Sequence, residues 1–562
     1  MSVERLRILI LGGYGVFGGR LAALIADEPR LTLIIAGRSQ AKAAGFCARH
    51  AFKAKTEPLA LDRAGDLAAG LRAARPDVVV DATGPFQHYA GDPYGVVRAC
   101  LAIGCDYLDF ADGSGFVAGI SAFDAEALRA QRFVLSGVSS FPVLTAAAVR
   151  HLAAGLTTVE TISGGIAPSP YAVIGLNVVR AVASYAGQPV KLTRDGRPAT
   201  AYALTETLRY TIAPPGLLPL RNTRFSLVDV PDLTALPPLW PGLKSIWMGA
   251  GPVPSVLHRG LNVLATLVRR RLLPTLSPFA RVFHGAINTL RWGEHRGGMF
   301  VELTGRDPQG VLHRRSWHLL AEGDDGPLIP SMAIEAIIRK LLTGKRPNAG
   351  ARAATTELSL ADYEPLFAQR RISTGTRQID PEHNMKPLYA RALGDAWRRL
   401  PEPIRRLHTP GPGMTATGSA TVERGSNWVA RLVAALFRFP PAGRDVPLRV
   451  TFTVGDGREV WRRDFAGATF ASEQREGAGR DTHLIVERFG PLAFGLALVV
   501  DSDKLRLVPR TWRLLGIPMP AALMPYGEAF ETAVDGRFHF NVEIRLPLVG
   551  RIVRYRGVLV PS

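Results

Sequence analysis

The chain has 562 residues, of which 47% are hydrophobic and 21% are charged. This length exceeds one ordinary core, and this composition is globular, which excludes a largely disordered protein. The formal net charge is +20 and only three cysteines occur, too few for a disulfide framework or a zinc site. A positive field of this size attracts phosphates, nucleic acid or anionic membranes, although arginines spread along the whole chain are also typical of a biased coding sequence.

The first 150 residues alternate short apolar runs with helical patterns. Strands are predicted at 7–11, 31–37, 54–61 and 77–84, with helices at 16–27, 40–50 and 66–74. Continuous apolar strands separated by helices are typical of a parallel sheet that is covered on both faces. We therefore expect an α/β protein whose residues 1–150 form a Rossmann domain, a doubly wound parallel sheet.

The pattern changes after residue 150. Residues 151–375 combine paired strands such as "GGMFVELTGRD" and "GVLHRRSWHLLAE" with helical segments, which predicts an α+β substrate or dimerisation domain. A helix at 330–343 is counted in this domain, with packing onto the Rossmann domain as the alternative. Residues 370–384 are predicted to be a linker.

The C-terminal part, 385–562, is predicted to be a β-rich domain with two leading helices. The helical patterns cover 387–408 and 427–438, and many strand-like segments accompany them. The turns "GDG" at 455–457 and "DG" at 535–536 favour hairpins. We expect a mostly antiparallel sheet, open or partly closed into a barrel.

A glycine-rich loop follows the first predicted strand and opens a helix. Gly13, Gly15 and Gly18 have the spacing of a dinucleotide-binding loop. In such a loop the first glycine makes a tight turn, the second lets backbone N–H groups approach a pyrophosphate, and the third lets helix and strand pack closely. The cofactor contacts predicted for this loop are Gly12, Gly13, Gly15, Val16, Phe17 and Gly18.

The second predicted strand ends in Arg38 and Ser39, at the place where an NAD-preferring site has an acidic residue. A guanidinium there suits the 2′-phosphate of NADP, because it pairs bidentately with a phosphate. An exposed arginine after a buried strand is the alternative. Asp62, at the end of the third strand, is predicted either to contact the adenine or to cap a helix.

The fourth strand ends in "DATGPFQHYAG". Its small residues leave room for the ribose and nicotinamide at the carboxyl edge of the sheet, although a tight turn has the same composition. The contacts predicted here are Thr83, Gly84, Pro85 and Phe86.

These motifs together resemble the saccharopine-dehydrogenase-like oxidoreductases, including the enoyl-reductase-like branch associated with lipid metabolism. The segments "GGYGVFGG", "AGRS", "DVVVDATGPFQHYAGDPYGVVRACLAIGCDYLDFADG" and "LSGVSSFPVLTAAAV" carry the resemblance, which covers about residues 1–370. It implies that NADP(H) binds to the glycine loop, Arg38 and the Gly84 to Phe86 turn. Residues 387–562 are similar to an uncharacterised C-terminal domain (domain of unknown function 4166 type), which implies a topology and no mechanism.

The catalytic residue is not identified by the sequence, and the proton-donor candidates near the nicotinamide are Tyr89, Asp112 and Ser140. Packing, capping and turn formation are their respective alternatives, and no metal site is predicted. We expect an NADP-dependent oxidoreductase that reduces a carbonyl or enoyl group of a small hydrophobic or lipid-like substrate. The alternative is a redox-silent NADP-binding sensor or scaffold whose C-terminal domain binds a lipid or a protein partner.

Partners other than the cofactor are less constrained. Residues 257–285 are apolar and basic, with Arg259 and Arg269 to Arg271, so they either lie on an anionic membrane or pack as an ordinary amphipathic helix. Nucleic acid is disfavoured because no recognition motif occurs. A cytoplasmic location is expected, with attachment to the inner membrane face and a homodimer left open.

Aromatic residues recur along the C-terminal segments, with arginines among them. They are expected either to enclose an amphipathic ligand or to fill the core of their own sheet. The residues concerned are Trp461, Phe489, Trp512, Phe538 and Phe540 with Arg462, Arg463, Arg488 and Arg513.

Overall fold

The computed structural model describes residues 5–87, 91–251, 255–411 and 413–562. The chain divides into two compact units, Met1–Leu208 with Arg224–Ser373 and Arg209–Thr223 with Thr374–Ser562. Residues 209–223 thus belong with the C-terminal part of the chain, where the Arg377 side chain donates a hydrogen bond to the Ala213 carbonyl at 2.7 Å.

Helices and strands alternate through the first 370 residues. In chain order they are β1 Leu6–Leu11, α1 Val16–Ile25, β2 Leu31–Gly37, α2 Gln40–Arg49, β3 Lys55–Ala60, α3 Leu67–Ala74, β4 Val78–Asp81, α4 Gly95–Ile103, β5 Asp106–Asp109, α5 Ser114–Gly119, α6 Asp124–Arg129, β6 Phe133–Ser136, α7 Thr145–Leu152, β7 Thr158–Ala167, α8 Leu176–Tyr185, β8 Pro189–Arg194, β9 Arg197–Tyr202, β10 Thr207–Tyr210, β11 Thr223–Leu227, α9 Asp232–Ala235, β12 Ser245–Ala250, α10 Ser255–Arg269, α11 Ala280–Thr289, β13 Arg296–Arg306, β14 Leu312–Glu322, α12 Ile329–Leu342, β15 Gly350–Ala353 and α13 Leu360–Ala368.

Strands dominate the remainder. They follow as β16 Ile372–Ile379, α14 Leu388–Leu393, α15 Glu402–Leu407, β17 Thr415–Arg424, α16 Trp428–Leu436, β18 Gly443–Gly455, β19 Arg458–Phe465, β20 Ala468–Glu476, β21 Ile485–Phe489, β22 Leu492–Asp501, β23 Lys504–Leu514, β24 Ile517–Pro518, β25 Ala529–Val534, β26 Arg537–Leu546 and β27 Gly550–Pro561.

The first sheet has seven parallel strands in the order β15-β6-β5-β4-β1-β2-β3. Ile8 and Ile10 of β1 face one hydrophobic core, whereas Leu9 and Leu11 face another. Successive side chains of a strand point to opposite faces, so a wholly apolar strand needs cover on both sides. The predicted doubly wound parallel sheet is confirmed.

The second sheet is mixed, with the order β10-β11-β12-β7-β13-β14-β16. Strands β13 and β14 form the predicted antiparallel hairpin, and β7 pairs parallel with β12 and antiparallel with β13. The α+β prediction for this region is confirmed. Helix α12 packs against α1, where Arg339 donates to the Leu24 carbonyl at 3.1 Å, which is the alternative placement of the 330–343 helix.

The second unit contains an antiparallel sheet of eleven strands, in the order β22-β21-β20-β19-β18-β17-β27-β26-β25-β23-β24. Pairing of β22 with β23 closes the sheet, and we call it the C-terminal closed sheet. The predicted mostly antiparallel β domain is confirmed. In the turns of its β18–β19 and β25–β26 hairpins, both residues have positive φ, as type I′ turns require.

Two details differ from the sequence expectations. The expected linker contains strand β16, whose pairing partner is distant in the sequence. The first helical pattern, 387–408, is split at Gly394 and Pro401, and α16 follows strand β17 instead of leading the strands. No helix among the described residues is long and apolar enough to cross a membrane.

Candidate cofactor and proton-donor site

The glycine loop joins β1 to α1 and is tied to the end of β2. The N–H groups of Gly12 and Gly13 both donate to the Ala36 carbonyl, at 2.8 and 3.0 Å. Gly12 has φ +80, and a Cβ there would lie 2.9 Å from the Ala82 carbonyl oxygen at the end of β4. Only glycine fits where the ends of β1 and β4 approach this closely.

Helix α1 begins directly at this loop. Gly15 is its N-cap with an extended backbone, and no side chain caps the helix, so the first-turn N–H groups remain available to an anion. A Cβ on Gly18 would collide with the Gly12 carbonyl oxygen, so this glycine permits close packing of helix and loop. Val16 is exposed at the helix start, and the Phe17 ring lies 5.6 Å from that of Phe110.

Arg38 lies at the carboxyl end of β2 and is exposed. Its guanidinium has no hydrogen bond or ion pair with any residue that the structure describes. Ser39, by contrast, caps α2, because its hydroxyl accepts the Lys42 N–H at 3.3 Å. Of these two predicted contacts, Arg38 alone has its whole polar group free for a ligand.

Tyr14 was not predicted, yet it supports the strand end that carries Arg38. Its hydroxyl accepts the Ser39 N–H at 3.2 Å, and its ring covers Gly37 so closely that a Cβ there would lie 2.6 Å from it. An aromatic residue inside a glycine loop is the sequence signal that points to this support.

The ends of β3 and β4 form the next part of the same edge. Asp62 does not cap a helix, because its carboxylate accepts the Ala64 N–H at 3.1 Å in a turn and α3 is capped by Asp66. Thr83 donates its hydroxyl to Asp81 at 2.5 Å, and Arg63 lies 3.5 Å from that buried carboxylate. Burial raises the pKa of Asp81, and the Arg63 cation opposes the rise.

The Gly84 to Phe86 turn is held from the second half of the unit. Asn177, at the start of α8, donates its side-chain amide to the Gly84 carbonyl at 2.9 Å. A Cβ on Gly175 would lie 3.4 Å from the Val16 side chain. The segment before α8 therefore lies against both the α1 start and this turn, and Phe86 itself is buried against Phe116, with ring centroids 5.1 Å apart.

Asp112 follows β5 beside this turn, where Gln87 donates its side-chain amide to the carboxylate at 3.0 Å. Its pKa is raised, first by burial and further by the negative charge of Asp229, while the Gln87 hydrogen bond opposes the rise. Asp229 accepts the Ser114 hydroxyl at 2.5 Å, and burial raises its pKa too. Burial raises the pKa of Tyr185, and the negative charges of Asp112 and Asp229 raise it further.

The other predicted proton donors are less informative. Ser140 is 6% exposed and begins a π-helical turn after β6. Tyr89 lies outside the described residues. Asp109, which was not predicted, holds the adjacent strand ends, because its carboxylate accepts the N–H groups of Gly137 and Ala111 at 2.7 and 2.9 Å. Burial raises the pKa of Asp109 to about 7.

These residues fit a dinucleotide phosphate. Gly12, Gly13 and Gly15 have no side chain that would keep a phosphate from the backbone. The start of α1, which no side chain caps, lies at the same edge of the sheet as the exposed guanidinium of Arg38. Among the described residues no group of three or more His, Cys, Asp or Glu side chains could hold a metal ion.

Comparison with known proteins agrees with this geometry. The family model described as the saccharopine dehydrogenase NADP binding domain matches residues 8–139, and the domain of unknown function DUF4166 matches residues 400–559. A comparison with curated proteins finds no match.

Among solved structures, the chain is similar to saccharopine dehydrogenase (L-Glu forming) from Saccharomyces cerevisiae, with 14% identity, coverage of 66% of this chain and 100% of that chain, and a TM-score of 0.47. Biliverdin reductase from Synechocystis is 13% identical, with coverage of 61% of this chain and 92% of that chain, and a TM-score of 0.27. A probable dehydrogenase from Thermotoga maritima is 10% identical, with coverage of 62% of this chain and 91% of that chain, and a TM-score of 0.30.

The family match confirms NADP as the cofactor and supports an NADP-dependent oxidoreductase. Residues 8–139 are therefore a saccharopine dehydrogenase NADP-binding domain, and residues 400–559 belong to the DUF4166 family.

Proposed function

We propose that this protein reduces a carbonyl or enoyl group of a hydrophobic, lipid-like substrate with NADPH. The observation that carries the proposal is the position of Asp112, a carboxyl group with a raised pKa, beside the turn that follows β4. In doubly wound sheets the crevice at the carboxyl ends of the strands holds the ligand, so this turn would face the nicotinamide.

The glycine loop and Arg38 would hold the cofactor. The first-turn N–H groups of α1 suit the pyrophosphate, and the Arg38 guanidinium suits the 2′-phosphate that distinguishes NADP from NAD. Bound NADPH would supply the hydride, which is the cofactor's own chemistry.

Asp112 would supply the proton. A carboxyl group with a raised pKa keeps its proton to a higher pH, and Asp229 adds to the effect by disfavouring a second negative charge nearby. In the reduction of a carbonyl group the Asp112 O–H bond would break and its proton would go to the carbonyl oxygen, and in the reduction of an enoyl group it would go to the second carbon of the double bond. The resulting carboxylate is then reprotonated from solvent.

A hydrophobic substrate is supported by residues 255–292, which we call the basic segment and which contain no acidic residue. Seven large apolar side chains of this segment are exposed: Val256, Val263, Leu272, Phe279, Val282, Leu290 and Trp292. Its arginines are exposed as well: Arg259, Arg269, Arg270, Arg271, Arg281 and Arg291. Apolar residues among cations are typical of a surface that lies on anionic lipid.

The basic segment is also connected to the site. Asn288 of α11 exchanges two hydrogen bonds with the backbone of Ile174, both at 3.3 Å. Ile174 lies in the segment that adjoins the α1 start and the Gly84 turn. The basic segment is therefore tied by hydrogen bonds to the segment that adjoins the candidate site.

Titration of the purified protein with NADPH and NADH tests the cofactor half of the proposal. We expect NADPH to bind more tightly than NADH, and Arg38→Gln to weaken NADPH binding by about tenfold or more while leaving NADH unchanged, because a charge-assisted hydrogen bond contributes about 1.5–3 kcal/mol. Arg49→Gln, which removes an exposed arginine at the far end of α2, is the matched control.

A panel of carbonyl and enoyl compounds tests the reaction. Consumption of NADPH with one of them supports the oxidoreductase, and preference for NADH or binding of neither nucleotide contradicts it. Tight binding of NADPH without turnover across the panel would support a redox-silent sensor instead.

A further inference from the structure

The C-terminal closed sheet contains a cavity of about 150 Å³. The outer part of its wall is apolar and partly exposed, with Phe489, Phe494, Phe530 and Tyr526. A dry protein cavity of about this volume holds a molecule the size of benzene. The cavity therefore has room for one aromatic ring or a short apolar chain.

Carboxylates line the buried part of the wall. Glu487 is 7% exposed and accepts hydrogen bonds from Ser472 at 2.7 Å and from Gln474 at 3.0 Å. Glu531 is 8% exposed, and its carboxylate lies 2.6 Å from Nε2 of His408. A buried carboxylate is retained only where partners or a ligand compensate its charge.

Carboxylates outnumber cations in the wall itself. Glu543 is a third lining carboxylate, although it pairs with two arginines outside the lining, and Arg463 is the one arginine or lysine among the described lining residues. Arg463 is already engaged, because it donates to Ser472 at 2.9 Å, lies 3.6 Å from Glu487 and stacks over Trp461 at 5.4 Å. An anionic ligand would find this guanidinium occupied.

Aromatic faces surround the same carboxylates. Tyr389, Trp461 and Tyr555 line the buried wall, and His408 stacks on Tyr389 with ring centroids 3.7 Å apart. The pKa of Tyr389 is raised by burial and by the charges of nearby glutamates. Aromatic faces together with carboxylates are the arrangement that recognises ammonium groups.

We propose that this cavity binds an organic cation, an amine with a ring-sized apolar body. The ammonium group would lie against the carboxylates of Glu487 and Glu531, and the apolar body would pack against Phe494 and Phe530. This site is separate in residues and chemistry from the NADP site, so either assignment stands without the other.

Calorimetric titration of the full chain with three probes that share a phenylethyl body tests the charge of the ligand. The probes are 2-phenylethylamine, 2-phenylethanol and 3-phenylpropionate, which carry a positive, a neutral and a negative head group. We expect the amine to bind at least tenfold more tightly than the alcohol and the carboxylate not to bind. Tightest binding of the carboxylate, equal binding of all three, or no binding would overturn the proposal.

Two variants locate the binding event. Glu531→Gln and Glu487→Gln should each weaken amine binding by about tenfold, since each removes one charge-assisted hydrogen bond. Glu473→Gln is the control, because Glu473 lies on the same strand as Gln474 but points to the opposite face, where it pairs with Arg458. Thermal unfolding shows whether each variant is folded. If one of the two does not fold, the amine affinity of the other tests the proposal. Unchanged amine affinity in the folded variants would place the amine elsewhere and overturn the proposal.

Discussion

Burial is the main cause of the raised pKa of Asp112, and the charge of Asp229 adds to it, whereas the hydrogen bond from Gln87 opposes it. The side chains around Asp112 come from several elements. Gln87 comes from the turn after β4, Asp229 from the segment after β11, and Tyr185 from the end of α8. Asp112 itself was found from the sequence because it follows a strand at the expected edge. Asp229 and Tyr185 were missed, because no local motif marks them and only tertiary folding brings them to the same carboxyl group.

Replacement of Asp112 tests its role as proton donor. Asp112→Asn should lower kcat by about 100-fold, which is within the contribution of a general acid, and leave the dissociation constant of NADPH unchanged. If Asp112 donates the proton, its protonated form is the active one, so kcat of the unaltered protein should fall as pH rises through the raised pKa, and the variant should lose this fall. The measurement is a pH profile of NADPH consumption.

Asp324→Asn is the matched control, because the Asp324 side chain is 90% exposed and outside the site. An Asp112 variant with the kcat and pH profile of the control would remove Asp112 from the reaction.

Among the elements, β1, the glycine loop and α1 were predictable from the sequence. The apolar run, the glycine spacing and the helical pattern that follows are each local. Strands β15 and β16 were not predicted, because a strand of ordinary composition becomes recognisable only through a partner, and β6 and β14 lie far away in the sequence. The split at Gly394 and Pro401 was missed for a different reason, since apolar spacing alone does not resolve a break between two short helices.

A pair of glycine substitutions separates helix propensity from packing. Gly18→Ala should destabilise the protein by about 1–3 kcal/mol, because its Cβ would collide with the backbone of the glycine loop. Gly45→Ala, inside α2 with no atom within 4 Å of its Cβ, should instead stabilise by about 0.5–1 kcal/mol. Urea unfolding measures both, and NADPH affinity should fall in the first alone. Equal shifts of the two unfolding midpoints would contradict the packing role of Gly18.

At the scale of the whole molecule, the sequence shows the net charge of +20. It does not show which of the arginines lie on the surface next to exposed apolar side chains. Arg269 shows the difference, since its guanidinium stacks over the Tyr202 ring at 4.5 Å. Arg270 and Arg271, which are exposed as Arg269 is, precede the exposed Leu272. Position on the surface therefore decides which cations are available to a partner.

Flotation with anionic liposomes tests the basic segment. The protein should float with the vesicles, and the double variant Arg270→Gln, Arg271→Gln should bind about 30-fold more weakly, because each cation near an anionic surface contributes about 1 kcal/mol. Binding should also weaken as salt screens the charges.

The control double variant Arg449→Gln, Arg475→Gln has the same net charge, and its substitutions lie at exposed positions of the C-terminal closed sheet. Equal loss of flotation in both variants would attribute binding to total charge, and flotation of neither protein would exclude the membrane surface.

The pairing of β15 with β6 also determines when the first sheet can be finished. Strand β6 ends at Ser136, and the strand that covers its edge begins only at Gly350. During synthesis the ribosome therefore releases the cofactor loop and six strands long before the seventh, and the β6 edge stays open to other strands in that interval. A fragment cut after the predicted boundary at residue 150 would lack β15 and would keep this edge open permanently, even though its cofactor motif is complete by Phe86.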